Sequence, residues 1–467
     1  MKQLTALAIL LATTSLASAA SNESFILQAG SKNTAKVGQF NGNNAQVTIQ
    51  SGKGNSAVTA QQSSGGADAN KSGTFEFGNN NSSQAGQIGN NNGQVTLQVG
   101  NANTAETLQT NNSANKNGSF TGQFSNGNNA LVGQVDGNNF QTTFQVGTGN
   151  KNNGNLATTT QQNGVNGGIN DTSTVQVGTL NVANVGQSTG GETSGKKPGL
   201  GGDNNQLSAQ FGSGNLANTD QTSNGSGNKA NAVSGVLNDA ATLQVGKDNI
   251  SSTTQSGANP GIFANQTADA SLTAQFGQDN GSLVKQVNGN NLQATVQAGS
   301  SNVAKTKQKN AQDSNATNAS LTAQFGQDNS SNTKQANGNN LQGTLQVGND
   351  NAAKTTQKTV DGGTGVNASR TLQVGNGNAA TTKQSIADPL NSGLNGSLIA
   401  QIGNNNKAMV TQNDTGLQAM IGANLQSTLQ VGNNNSATTT QTASVGVTNS
   451  SVTAQFGSHN VAVVTQH

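Results

Sequence analysis

The sequence predicts an all-β fold, a β-solenoid of strand-turn-strand layers, and three observations carry that prediction. A frame written Q-x-G-x-x-N-x-A-x-x-x-Q recurs seventeen times along the 467 residues, with a shortest spacing of 22 residues, and self-similarity at such a period marks a repeat architecture. Between the fixed positions the residues alternate with period two, the rhythm of a strand and not of a helix. Apolar residues reach only 30% of the chain, against roughly 45–50% in an ordinary globular domain. In their place stand 61 Gly and a share of Asn plus Gln near one quarter. The absence of Cys excludes a disulfide framework. A net charge of +2 excludes charge-driven disorder, and it leads one to expect no basic stripe of the kind nucleic-acid binding needs.

Taken in chain order, residues 1–19 read as a secretory signal. Lys2 supplies the positive start, residues 4–12 (LTALAILLA) the apolar stretch, and Ala17-Ser18-Ala19 a cleavage site before Ala20. The apolar run is too short to span a bilayer, and no transmembrane segment is expected elsewhere. Residues 20–467 then read as one solenoid. Its frames begin at Gln28, Gln50, Glu76, Gln98, Gln123, Gln145, Gln176, Gln210, Gln244, Gln275, Gln297, Gln324, Gln346, Gln373, Gln401, Gln430 and Gln455. Glu76 replaces the first Gln of its unit, Ser125 replaces a Gly, and the Gln145 unit carries an insertion before Asn155. An 11-residue bridge such as 335–346 (QANGNNLQGTLQ) joins the closest frames, so each unit is two short strands and two turns. Gly348 to Asn351 is expected to form one turn and Gly338-Asn339-Asn340 the other, because Gly and Asn tolerate positive φ. Longer spacings place Gly/Ser/Asn-rich insertions at the second turn. The largest, about 188–206, contains Lys196-Lys197-Pro198.

The second strand of each layer reveals which face points in. Seven residues after the first Gln stands Ala or Ser (Ala35, Ala57, Ser83, Ala105, Ala130 and on to Ala462), while Lys36, Glu106, Lys285, Lys305, Lys307, Lys334, Lys354 and Lys383 fall on the other parity. Desolvating an unpaired ammonium is costly, so the charged parity faces water and the Asn-Ala-Thr-Gln parity faces inward. Carried back into the first strand, the same parity puts Gln346 and Thr344 inside and Leu345 and Val347 outside. Stacked Gln and Asn can then satisfy one another as amide ladders. The consequence is an outer stripe of Leu, Val and Phe, including Phe77, Phe124, Phe211, Phe276, Phe325 and Phe456, which suits lateral contact in an assembly.

The frame resembles the curlin repeat, the unit of curli-type functional amyloid subunits of bacterial surfaces. Gln28, Gly30, Asn33, Ala35 and Gln39 carry the resemblance, as do Gln98, Gly100, Asn103, Ala105 and Gln109, and Gln346, Gly348, Asn351, Ala353 and Gln357. So do Gln430, Gly432, Asn435, Ala437 and Gln441, and Gln455, Gly457, Asn460, Ala462 and Gln466. The resemblance implies an amyloid-like solenoid that is secreted and stacks end to end into surface fibres serving adhesion and biofilm matrix. The partners it implies are further copies of the chain, a nucleating or minor curlin subunit, and a dedicated outer-membrane secretion apparatus. The chain has many more repeats than the family's familiar short subunits, and Phe stands where those carry Tyr.

Other functions fare less well. The only histidines are His459 and His467, and the acids are scattered, so no catalytic constellation, metal site or cofactor is expected. Asp248, Asp279, Asp328 and Asp350 lie singly in turns, which makes poor ion sites. A monomeric secreted adhesin, or an ice- or carbohydrate-binding solenoid using outward Thr438 and Thr440, is the alternative. No capping segment separates Gln28 or Gln466 from the sequence ends, so an open filament is expected. Seventeen layers at ~4.8 Å would extend roughly 80 Å.

Overall fold

The computed structural model describes residues 22–467 apart from 64–68, 113–114, 148–152, 165–167, 192–201, 226–235, 260–266, 311–315, 361–364, 388–392, 416–421 and 445. The expected export signal and Lys196-Lys197-Pro198 lie outside the described residues. Among those residues the chain forms 34 strands and no helix.

Glycine at the third position of the frame sets the first corner of each layer. Gly348 has φ 116°, and Asp350, two residues on, is left-handed at φ 57°. A Cβ on Gly348 would sit 2.1 Å from the carbonyl oxygen of Gly375 in the next layer, so both backbone angle and closeness of stacking demand Gly. Ser125 takes this place at φ 76°, directly before the unit whose own corner carries the insertion. The second corner differs from expectation. Positive φ falls at Asn337 (47°) and Gly338 (72°), whereas Asn339 and Asn340 already belong to the strand Asn339–Asn349. Asn340 turns inward and donates to the Asn337 carbonyl at 2.6 Å, so it ties the corner without bending it. Around the largest insertion, strands run to Gly191 and resume at Asp203, so residues 188–191 and 203–206, expected in the loop, are sheet.

The chain divides into two units, Met1–Ala217 and Asn218–His467, built by the same rule. In the first, odd-numbered strands from Asn22–Ser31 to Asp203–Ser213 form one parallel sheet. Even-numbered strands from Thr34–Phe40 to Val182–Gly191 form the other. In the second, the corresponding sheets run from Val236–Lys247 to Thr448–Ser458 and from Ile250–Asn259 to Val461–Gln466. We call the sheet holding the first Gln of each frame sheet 1 and the sheet holding the second Gln sheet 2. Register never slips: Gln324 pairs with Gln346 and Gly326 with Gly348, and Gln335 pairs with Gln357. Insertions of unequal length leave this pairing intact because the stacked strands, not the loops, fix it.

The interior is thin and mostly polar. Gln346, Thr344, Asn351, Thr355 and Gln357 are buried, while Leu345 and Val347 are 38% exposed. Apolar residues enter the interior of the second unit at Val284 and Ile386, and in one layer Ile399 and Val410, from its two sheets, are both fully buried and pack with Ala380 and Ala408. Their neighbours in register are threonines on both sides. On the outer face of sheet 1, Leu27, Val47, Ile49, Phe75 and Phe77 cluster in the first unit, burying Val47 and Ile49. Where Gly73, Gly93 and Gly118 interrupt this face, it dips into a cavity of about 570 Å³ bordered by Phe75, Phe120 and Phe140. In the second unit Leu272, Phe276, Leu321, Phe325, Leu341 and Leu398 stand exposed.

The expectation that a near-neutral chain carries no basic stripe is corrected here. Nine lysines, Lys285, Lys305, Lys307, Lys309, Lys334, Lys354, Lys358, Lys383 and Lys407, are exposed on sheet 2 between strands Gly281–Val287 and Lys407–Asp414. Net charge conceals this face because the balancing acids lie elsewhere.

Candidate functional site

The recurrent amides converge into ladders that run through the interior of each unit. In sheet 1 of the second unit, Gln324 Nε2 donates to Gln346 Oε1 and Gln346 Nε2 to Gln373 Oε1, each at 2.8 Å. In sheet 2, Gln335 donates to Gln357 and Gln357 to Gln384, also at 2.8 Å. The second Nε2 hydrogen crosses to the facing strand, as from Gln346 to the Ser330 carbonyl at 3.0 Å and from Gln357 to that of Leu341 at 2.8 Å. Each Gln thus holds its neighbouring layer and the opposite sheet together.

Asn ladders run the other way. Asn351 Nδ2 donates back to Asn329 Oδ1 at 3.0 Å, and forward to the Gly375 carbonyl at 2.7 Å. A second Asn row does the same at the other corner, with Asn340 donating to Asn318 at 2.7 Å. In these buried ladders the Gln amides donate toward later layers and the Asn amides toward earlier ones, whereas the exposed Asn79 and Asn101 donate toward later layers. A buried amide that both donates and accepts avoids the roughly 1–3 kcal/mol cost of an unsatisfied polar group, so a polar interior becomes stable when the layers are in register.

The expected residues occupy these rows. Gln28 donates to Gln50 at 2.6 Å and Gln39 to Gln61 at 2.8 Å. Asn33 donates to the carbonyls of Ala29 and Gly52 at 2.9 and 3.1 Å. Gln98 donates to Gln123 at 2.8 Å, Gln109 to Gln134 at 2.7 Å and Asn103 to Asn81 at 3.2 Å. Gln430 donates to Gln455 at 2.8 Å, Gln441 to Gln466 at 2.6 Å and Asn435 to Asn406 at 3.1 Å. Ala105, Ala353 and Ala437 are buried between the ladders; Ala35 and Ala462, in the outermost described layers, are half-buried. Gly30, Gly100, Gly432 and Gly457 turn corners with φ of 108°, 129°, 119° and 99°. In the last layer Gln455 and Gln466 donate to the carbonyls of Ser436 and Ser450 at 3.0 and 2.8 Å, and Asn460 donates to Asn435 at 2.9 Å.

Two features escaped the sequence reading. Four residues before the first Gln, serine and glutamine alternate through most layers, broken at Thr172, at Ala240 and where Ser369 is followed by Ser397. Ser320 Oγ donates to Gln342 Oε1 at 2.8 Å, Ser72 to Gln94 and Ser271 to Gln293 at 2.9 Å, and Ser397 to Gln426 at 3.1 Å. A long side chain above a short one fills the gap, and the signal was a doubled period. The second feature is the burial of two acids inside the ladders: Glu76, visible in the sequence as a departure from the frame, and Asp269, which was not. Glu76 accepts from Gln50 Nε2 at 2.7 Å and pairs in register with Gln98. Glu76 Oε1 and Gln98 Oε1 are both buried without a partner, and a proton on Glu76 supplies the donor this step of the ladder lacks. Burial accordingly pushes the Glu76 carboxyl from its ordinary 4.5 up to about 8, opposed by the hydrogen bond from Gln50. Asp269 occupies an Asn position, accepts from Asn291 at 2.7 Å, and is pushed by burial from 3.8 up to about 7.

Among the described residues no three His, Cys, Asp or Glu side chains come together to hold a metal ion, and no helix is long and apolar enough to cross a membrane. Compared with models of known protein families and with curated proteins, the chain matches none.

Proposed function

We propose that the chain is a curlin-type structural subunit of extracellular amyloid-like fibres on a bacterial surface, serving adhesion and matrix formation. It would be exported through a dedicated outer-membrane apparatus and added copy upon copy, with a nucleating or minor subunit as a further partner. The observation that carries this reading is the ladder geometry. Apart from Glu76 and Asp269, the layers of each unit present to the next the same strand edges and the same Gln and Asn amides, so a layer of another copy can be received as an internal layer is. The outward apolar face of sheet 1 suits side-by-side packing of such fibres. An ice-binding threonine lattice finds less support, because Met409 and Val463 flank Thr438 in register.

The test uses residues 20–467 at micromolar concentration, followed by thioflavin fluorescence, electron microscopy and fibre diffraction. Seeded growth of fibres with a reflection near 4.8 Å along the fibre axis is the expected outcome. Monomers that stay soluble even with preformed seed would overturn the reading and favour a monomeric adhesin.

A further inference from the structure

Nine exposed lysines on one sheet call for an occupant. Eight of them stand in rows parallel to the stacking axis, and Lys407 lies beyond, opposite Ala379. Lys285, Lys307 and Lys334 are directly in register on three successive strands, and Lys383 continues that row two layers further on, past Thr356. Lys305 and Lys354 form a second row with Asn332 between them, and Lys309 and Lys358 a third with Ala336 between them. No Asp or Glu occupies an outward position on these strands. Asp279, Asp328 and Asp350 lie in the corner turns, and the one ion pair among the described residues is Lys247–Asp248, at 3.7 Å. Like charges directly opposite each other in a sheet destabilise it, and a counter-charge laid along the rows relieves that repulsion.

We infer that this face of the second unit docks a linear acidic polysaccharide bearing one carboxylate per sugar. The rows are straight, with a charge every ~4.8 Å where lysines are in register, which matches an extended polyanion of similar repeat. Asn332, Thr356, Thr381 and Ser385 stand among the lysines and offer hydrogen-bond partners for sugar hydroxyls. The outward positions of these strands carry no aromatic ring, so the face lacks the stacking platforms that single-stranded nucleic acid uses. The interaction belongs to one chain and does not depend on fibre formation.

The experiment measures binding of labelled polygalacturonate to residues 20–467 by anisotropy, on freshly prepared soluble protein and on any fibres it forms. Neutral dextran and a duplex DNA of equal total charge serve as comparators. Polygalacturonate is expected to bind, with affinity falling steeply between low and physiological salt. Replacing three lysines together, K285Q/K307Q/K334Q, should weaken it about tenfold, while K36Q, on sheet 2 of the first unit, should leave it unchanged. A far-ultraviolet spectrum checks that the variants keep their sheet. Binding equal to that of dextran, affinity unaltered in the triple variant, or tighter binding of the duplex would each overturn the inference. Because soluble protein is tested, loss of binding and failure to form fibres are separate results.

Discussion

Glu76 shows how far a single atom can matter in a solenoid of amides. A Gln at this position would donate to Gln98; a carboxylate cannot, and a neutral carboxyl can. With the folded value raised to about 8 from 4.5, the folded chain holds a proton that the unfolded chain releases. Stability from this group is therefore complete below about pH 4.5 and lost as pH rises through about 8, with a slope approaching ~1.4 kcal/mol per pH unit between them. Asp269 adds a second loss between 3.8 and about 7. Denaturant midpoints measured from pH 5 to 9 should fall for the natural chain, fall less for Glu76→Gln, and level out further when Asp269→Asn is added. Parallel profiles for the natural chain and Glu76→Gln would refute a protonated link. Glu76 was legible as a departure from the frame. Asp269 was not, because the second Asn row follows insertions of varying length and its register emerges only once the strands are paired.

At the level of the strand, parity decides nearly everything. The charges on the second strand were enough to orient it, since a lysine turned inward would have no partner in a cavity already filled by Ala and Thr. Ala353 is buried and Ala352 exposed. Ala353→Lys should therefore cost several kcal/mol, on the order of the 3–5 kcal/mol seen for an uncompensated buried charge, and slow any assembly strongly. Ala352→Lys should stay within about 0.5 kcal/mol. Equal effects in thermal unfolding and in seeded growth would mean the faces are reversed. The corners were harder to read. Gly-Asn-Asn strings advertise turn residues but do not reveal which Asn bends the chain and which, like Asn340, faces inward to tie it. The Ile399–Val410 layer was equally hidden: each substitution alone looks like an error, and only facing positions reveal that one apolar residue accompanies the other.

For each whole unit, a low net charge proved a poor guide to the surface. Composition averages over faces, whereas folding sorts them: in the second unit Leu and Phe collect outside sheet 1, lysines outside sheet 2, and amides between. The apolar face predicts behaviour in bulk. Leu321→Lys with Leu341→Lys, both outward and exposed, should leave the sheet content unchanged and reduce sideways bundling of fibres severalfold, as counted by electron microscopy at physiological salt. Unchanged bundling would assign lateral contact to another face. The opposed ladders also have an electrostatic consequence. Each side-chain amide resembles a peptide group, whose dipole is roughly 3.5 D, and a row all pointing one way would accumulate polarisation with every layer, as a helix does. Two Gln rows point along the chain and two buried Asn rows against it, so the moments of these four interior rows oppose one another layer by layer, and lengthening the stack does not build up the field that four rows pointing one way would.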